Sequence, residues 1–161
     1  MALENLFKRK PRIEITNKDI IFIGGSTTDR FNPETDYGKE DWKNVYTMLF
    51  NALKKFPEYR LIIKEKSDGQ LSSMPMFIAG KVNFDERRIK IIRDISPIDL
   101  MTNASMVIVT DSTMIYDAMM LNKEIIAIKI KKPGYPDPFK SAPIHMVYNQ
   151  KQLEEAIRKC L

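Results

Sequence analysis

Small hydroxylated residues follow a short apolar run in the second half of the chain. The run from Met106 to Val109 leads through residues 110 to 113 into a segment with helical periodicity. Backbone N–H groups at the start of a helix have no partners within it and lie at the positive end of its dipole. They form an anion site, and the hydroxyls of Ser112 and Thr113 would add donors for phosphate oxygens. The alternative is that Asp111 or Ser112 only caps the helix.

Asp117 lies about one turn further along the same predicted helix. Its spacing of four residues from Thr113 puts the two side chains on nearly the same face. A carboxylate at this place can accept hydrogen bonds from the hydroxyls of a ribose beside the phosphates. The alternative is a solvated aspartate that interacts favourably with the helix dipole.

A second candidate loop follows the apolar run from Ile20 to Ile23. Paired glycines let a backbone approach a ligand closely, so Gly25 and Ser26 are candidate binding residues. No third glycine completes the dinucleotide pattern, and no lysine completes the nucleoside-triphosphatase pattern. The loop therefore predicts no nicotinamide cofactor, and a tight turn at Gly24 remains the alternative.

Lysines end the next apolar run. Lys64 and Lys66 would bring positive charge to a bound diphosphate, although solvated lysines are the common case. His145 is the only histidine and Cys160 the only cysteine, and neither has the sequence spacing of a metal site or a catalytic triad. The sequence predicts no metal ligands.

Apolar runs alternate with amphipathic segments along the chain, and this alternation must position the candidate loops. It favours parallel strands joined by right-handed crossovers. We expect an α/β fold, a single Rossmann-like doubly wound domain with a mainly parallel sheet of about six strands. Ligands bind such sheets outside the carboxyl ends of the strands, so the three loops should meet at one edge. The predicted strands are Ile20 to Ile23, Leu61 to Ile63, Ile89 to Ile92, Met106 to Val109, Ile125 to Ile130 and a short one near residues 145 to 148.

The first 18 residues lack periodicity and are predicted to be a basic lead-in or linker, with a short extended piece at residues 12 to 15; the domain would span residues 19 to 161. Residues 8 to 12 carry four positive charges, within a net charge of +5. Such a cluster suits a phosphate-rich partner or an anionic membrane surface, or is a solvated linker. No zinc-finger spacing or RNA-binding signature accompanies it, so we expect no nucleic-acid binding.

The 161 residues, 43% of them hydrophobic and 29% charged, have an ordinary globular composition. No apolar run approaches the roughly 20 residues of a membrane span. The first residues show no secretory signal, and the single cysteine agrees with a reducing compartment. The sequence thus predicts a cytoplasmic protein, with peripheral contact at the inner membrane face as the option that the basic cluster leaves open.

The stretch from residue 92 to residue 128 resembles the C-terminal, donor-binding domain of GT-B glycosyltransferases. The resemblance is carried by the helix start at Ser96-Pro97, by Asp111-Ser112-Thr113, by Asp117-Ala118 and by residues 121 to 126. Related proteins are the capsule and teichoic-acid polymer transferases and the UDP-sugar 2-epimerases. Residues 18 to 160 follow the order of elements in that domain, but the motif at Lys64 lacks the histidine that the family often has there.

The resemblance implies a nucleotide-sugar-binding domain with the donor as substrate and no other cofactor. Ser112 and Thr113 would hold the donor diphosphate, Asp117 the ribose, and backbone atoms near residues 93 to 96 the base. An N-terminal acceptor-binding domain or partner chain would complete a glycosyltransferase, so this chain alone would be inactive. The alternatives are a polyol-phosphate transferase or UDP-sugar epimerase domain, and a non-catalytic flavodoxin-like nucleotide-binding or interaction module.

Overall fold

The computed structural model describes residues 13–24, 38–65, 73–110, 112–130 and 143–161. These residues form one six-stranded sheet and five α-helices. The strands are β1 (Asp19–Ile23), β2 (Arg60–Lys64), β3 (Ile89–Ile92), β4 (Met106–Val109), β5 (Ile125–Ile128) and β6 (His145–Val147). The helices are α1 (Lys39–Leu53), α2 (Met74–Lys81), α3 (Pro97–Thr102), α4 (Met114–Met120) and α5 (Gln150–Cys160).

The sheet is parallel throughout, in the order β3-β2-β1-β4-β5-β6. This order is that of a Rossmann fold and confirms the predicted fold class. It differs from the 2-1-3-4-5 order of flavodoxin-like proteins, so the flavodoxin-like shape given as one alternative is wrong. The strand order reverses between β1 and β4, which is where such sheets bind ligands.

Both faces of the sheet are covered, because successive side chains of a strand point to opposite faces. Ile20 and Phe22 of β1 lie in a core with α1, α2 and α5. Ile21 and Ile23 lie in a second core with α3 and α4. The middle of each central strand is therefore apolar on both faces, which is why continuous apolar runs identified these strands in the sequence.

Helix α2 and the ends of some elements differ from the sequence predictions. Helix α2 was not predicted, because the segment Met74–Lys81 is apolar almost throughout and shows no amphipathic period. The predicted fifth strand ends two residues early, at Ile128. The extended piece proposed at residues 12 to 15 is not a strand in its described part, residues 13 to 15. Ile13 and Ile15 are instead partly buried against the second core.

Two helices are each followed, two residues after their last residue, by an asparagine with left-handed backbone. Asn83 follows α2 with φ of 53°, and Asn122 follows α4 with φ of 51°. Asparagine tolerates this conformation better than other residues with a Cβ atom. The next N–H after Asn122 donates to Ala118, which closes the helix as a Schellman turn does. The chain can then enter β5 within a few residues.

Asp19 begins β1 at the edge of the sheet opposite to the carboxyl ends of the strands. Its side chain is fully buried and forms a two-bond ion pair with Arg60 at the start of β2, with nitrogen–oxygen distances of 2.7 and 2.8 Å. The same carboxylate accepts from the backbone N–H of Thr16 at 2.8 Å. These bonds fix the start of the two central strands.

No helix among the described residues is long and apolar enough to cross a membrane.

Candidate functional site

The carboxyl ends of the three central strands β2, β1 and β4 lie side by side. Ile23 of β1 is in register with Lys64 of β2 on one side and with Val109 of β4 on the other. Since neighbouring strands are about 4.8 Å apart, Lys64 and Val109 are about 10 Å apart across β1. The N–H of Thr110 donates to the carbonyl of Ile23 at 3.3 Å, so the chain leaving β4 passes directly beside Gly24. Gly24, Lys64 and Ser112 thus lie at one edge, the carboxyl edge of the sheet, at the point where strand order reverses.

Lys64 is half-buried, and its ammonium group is held at this edge. The Nζ atom donates to the backbone carbonyl of Glu65 at 3.1 Å and to the carbonyl of Arg93. An ammonium has three N–H donors. The third has no partner among the described residues, so it is available to an anion at the carboxyl edge.

Ser112 and Thr113 lie between β4 and α4. The Ser112 N–H donates to the carbonyl of Thr110 at 2.9 Å, and the Ser112 Oγ accepts from the N–H of Met114 at 3.3 Å. The backbone N–H groups of Ser112 and Met114 are therefore already bonded within the turn. Helix α4 has only seven residues. A hydroxyl that accepts still has its own O–H to donate. The donors that this turn offers to a phosphate are therefore its side-chain hydroxyls, more than the free backbone N–H groups that were predicted from the sequence.

The side chains of Thr113 and Asp117 complete this part of the edge. Thr113 is exposed, and its hydroxyl makes no capping bond to α4. Asp117 is half-buried on the first turn of α4. No hydrogen bond or ion pair joins its carboxylate to another described residue, so both oxygens can accept from a ligand.

Glu65 and Arg93 add a pair of charges that the sequence analysis did not single out as a pair. They follow the ends of the neighbouring strands β2 and β3, and Arg93 Nε donates to Glu65 Oε2 at 3.0 Å. The Glu65 side chain is only 9% exposed. Burial, and then the Glu65 carboxylate, raise the pKa of Tyr46 well above its ordinary value, so the phenol stays neutral. The sequence signal that could have predicted this ion pair is the presence of opposite charges just after two adjacent parallel strands.

Gly24 has a packing reason to be glycine. A Cβ atom there would lie 2.8 and 3.0 Å from two carbons of the buried Trp42 ring. The Trp42 side chain, from the first turn of α1, thus fills the space beside Gly24 at the end of β1. Close approach to Trp42 explains Gly24 without any ligand.

Replacing Gly24 by alanine is expected to lower the free energy of unfolding by about 1–3 kcal/mol, because the packed Trp42 ring must move. Gly80→Ala is the matched control. The nearest atom to its Cβ would be 3.9 Å away, and alanine should gain about 0.5–1 kcal/mol within a helix. Urea melts of both variants measure the difference, and equal midpoints for the two would contradict this packing argument.

Four of the residues considered in the sequence analysis lie outside the described residues, namely Gly25, Ser26, Lys66 and Asp111. Their predicted roles stay predictions. The basic cluster at residues 8 to 12 also lies outside.

The described residues also bring together Glu124, His145 and Cys160, whose donor atoms lie within 4.8 Å of one another. They are at the amino edge of the sheet, opposite to the carboxyl edge. These residues are far apart in the sequence and match no metal-binding motif, so the sequence analysis did not predict the cluster.

The sequence matches no family model and no curated protein. Comparison with solved structures does find similar folds. UDP-GlcNAc 2-epimerase of Methanocaldococcus jannaschii, in complex with UDP-GlcNAc and UDP, has a TM-score of 0.61 at 15% identity; the match covers 91% of this chain and 39% of the epimerase.

Two transferases are also similar. ADP-heptose LPS heptosyltransferase II of E. coli has a TM-score of 0.60 at 10% identity, with 97% of this chain and 49% of the transferase covered. The family 9 glycosyl transferase of Veillonella parvula has a TM-score of 0.54 at 13% identity, with 92% and 40% covered. The chain spans less than half the length of these proteins. It has the Rossmann-like fold of one domain of GT-B glycosyltransferases and UDP-sugar 2-epimerases, as the resemblance in its sequence implied.

Proposed function

We propose that this chain binds a nucleoside diphosphate sugar at the carboxyl edge, as the donor-binding part of a GT-B glycosyltransferase. The observation that carries the proposal is the register of β2, β1 and β4. The end of β2, which carries Lys64, and the end of β4, after which Ser112 and Thr113 follow, flank the end of β1 where strand order reverses. Rossmann folds bind nucleotides at that point.

The side chains at this edge match the parts of such a ligand. The third N–H of Lys64 and the hydroxyls of Ser112 and Thr113 would donate to diphosphate oxygens. Charge accumulates on the diphosphate as the bond to the sugar breaks, and donors fixed in advance stabilise that charge. Asp117, with no partner among the described residues, would accept from the ribose hydroxyls.

The rest of the enzyme would come from a second domain or chain that binds the acceptor. This chain spans less than half of the similar transferases and epimerase, and a single open edge neither excludes water nor orients a second substrate. We therefore expect this chain alone to bind the donor and not to turn it over. Release of sugar or nucleoside diphosphate from the donor, followed by chromatography, checks this.

Epimerisation of a UDP-sugar is the second candidate, favoured by the similarity to an epimerase in complex with UDP-GlcNAc and UDP. Both candidates need the same diphosphate site. They are separated once the acceptor-binding part is supplied, since transfer glycosylates an acceptor whereas epimerisation yields another nucleotide sugar.

Thermal melts with UDP, GDP, CDP and ADP test the shared claim. A ligand at 100 times its dissociation constant stabilises the native state by about 2.7 kcal/mol. This should raise the melting temperature by roughly 5–11 °C for a domain of this size. Flavin mononucleotide is the control, because it offers a monophosphate and a flavin in place of a diphosphate. Stabilisation by the flavin nucleotide and by no nucleoside diphosphate would overturn the proposal.

A further inference from the structure

Three side chains of the types that bind zinc meet at the amino edge of the sheet. Glu124 precedes β5, His145 is the first residue of β6, and Cys160 is the last residue of α5. They come from three separate segments and are brought together because α5 runs back across the sheet to the starts of β5 and β6. A thiol, an imidazole and a carboxylate together are a zinc ligand set.

We propose that Glu124, His145 and Cys160 form a binding site for Zn²⁺. The proposal is independent of nucleotide binding, since the group lies at the opposite edge from the candidate donor site.

The distances fit one cation of this kind. His145 Nε2 is 3.5 Å and Cys160 Sγ is 3.8 Å from the same Glu124 oxygen, and all three donors lie within 4.8 Å of one another. Bond lengths of about 2.3 Å to sulfur and about 2.0–2.1 Å to nitrogen and oxygen put the donors of a tetrahedral zinc about 3.4–3.6 Å apart. Small rotations of these side chains would bring the group to that spacing, with water as the fourth ligand.

The surroundings suit a divalent cation. The Cys160 thiol donates a hydrogen bond to the Glu124 carboxylate at 3.8 Å, and a divalent cation would take the place of this proton between the sulfur and the oxygen. Cys160 also ends the 11-residue helix α5, and the negative end of a helix dipole favours a positive charge. The exposed Arg158 and Lys159 of the last turn act against it, at longer range and in solvent.

The donor set selects the metal. Mg²⁺ and Ca²⁺ prefer oxygen ligands alone, whereas thiolate and imidazole select zinc and similar ions. A bound zinc would join the starts of β5 and β6 to the end of α5. Strand β6 has only three residues and lies at the end of the sheet, so this is where a cross-link would add most order.

The test uses the whole chain, reduced and metal-free, titrated with Co²⁺ and then with Zn²⁺. We expect a thiolate-to-cobalt charge-transfer band with the intensity of tetrahedral cobalt, which Zn²⁺ abolishes by displacement. Glu124→Gln and His145→Asn keep the thiol and should each weaken Co²⁺ binding at least about tenfold. Glu155→Gln, an exposed carboxylate on the same helix as Cys160, is the matched control and should bind as the wild type does.

Two results would overturn the site. One is the absence of the band in the wild type. The other is equal affinity in the wild type, Glu124→Gln and His145→Asn, which would mean that the single thiol binds the metal adventitiously. A further measurement needs no variant: Zn²⁺, and not Mg²⁺, should slow alkylation of Cys160 by iodoacetamide at least about tenfold. Unchanged alkylation with Zn²⁺ would also refute the proposal.

Discussion

Replacing Asp19 by alanine is expected to lower the free energy of unfolding by about 3 kcal/mol or more. The side chain is fully buried at the start of the central strand. Its carboxylate accepts two bonds from the Arg60 guanidinium and two from Thr16, one of them from the backbone N–H. Alanine leaves that N–H without its acceptor and leaves a cavity at the start of β1. Arg60 is 45% exposed and can rehydrate, so its loss of a partner costs less than in a closed core.

Asp19→Asn separates charge from shape. The amide oxygen can still accept from Thr16, whereas the charge-assisted bonds to Arg60 are lost, so the expected cost is smaller, about 1.5–2 kcal/mol. Urea melts of both variants at neutral pH measure the two losses. Glu155→Ala on the surface should stay within about 0.5 kcal/mol of the wild type. A loss under about 1 kcal/mol for Asp19→Ala would show that the pair does not fix the strand starts.

The fold was predictable because its strands are buried on both faces. Every residue of β1 and β4 is buried and all except Asp19 are apolar, so each strand contains a continuous apolar run. The alternation of these runs with amphipathic helices implies parallel pairing. Helix α2 could not be found in this way. Its exposed Phe77 breaks the rule that apolar side chains of a helix face the core.

For the candidate site, the sequence allowed only the prediction that the loops after three strands lie close together. Parallel strands end at one edge, so Lys64 and Ser112 had to approach each other. The local hydrogen bonds were not predictable, since the carbonyls that accept from Lys64 belong to residues 65 and 93, which follow the ends of two different strands. The same holds for Glu124 and Cys160, which are 36 residues apart and meet only through the packing of α5.

Changing Asp117 to alanine should weaken binding of a nucleoside diphosphate by about 10- to 150-fold, if the proposed donor site is correct. The carboxylate would accept both ribose hydroxyls, a charge-assisted pair worth about 1.5–3 kcal/mol. In the structure the side chain is half-buried and bonded to no other described residue. Its removal should therefore change folding stability by no more than the roughly 0.3–1 kcal/mol of a helix-dipole interaction.

Isothermal titration of wild type and Asp117→Ala with the best nucleotide from the thermal melts, together with urea melts of both, measures the two effects. Asp117→Asn is informative, since it keeps the shape and should retain part of the affinity. Glu155→Ala serves as the distant control. Equal affinities with a lowered urea midpoint would make Asp117 a structural residue, and would leave nucleotide binding by the rest of the edge intact.

The position of β1 has a consequence for the growing chain. Its partner β4 begins 83 residues after the end of β1, whereas β2 and β3 lie on its other side and come earlier. Until the ribosome has made β4, one side of β1 has unpaired N–H and C=O groups. Unpaired apolar strands pair with other chains, and parallel sheets with distant partners form slowly. Aggregation therefore competes with folding while only the first half of the chain has been synthesised. A chaperone that binds extended apolar segments would act during that period.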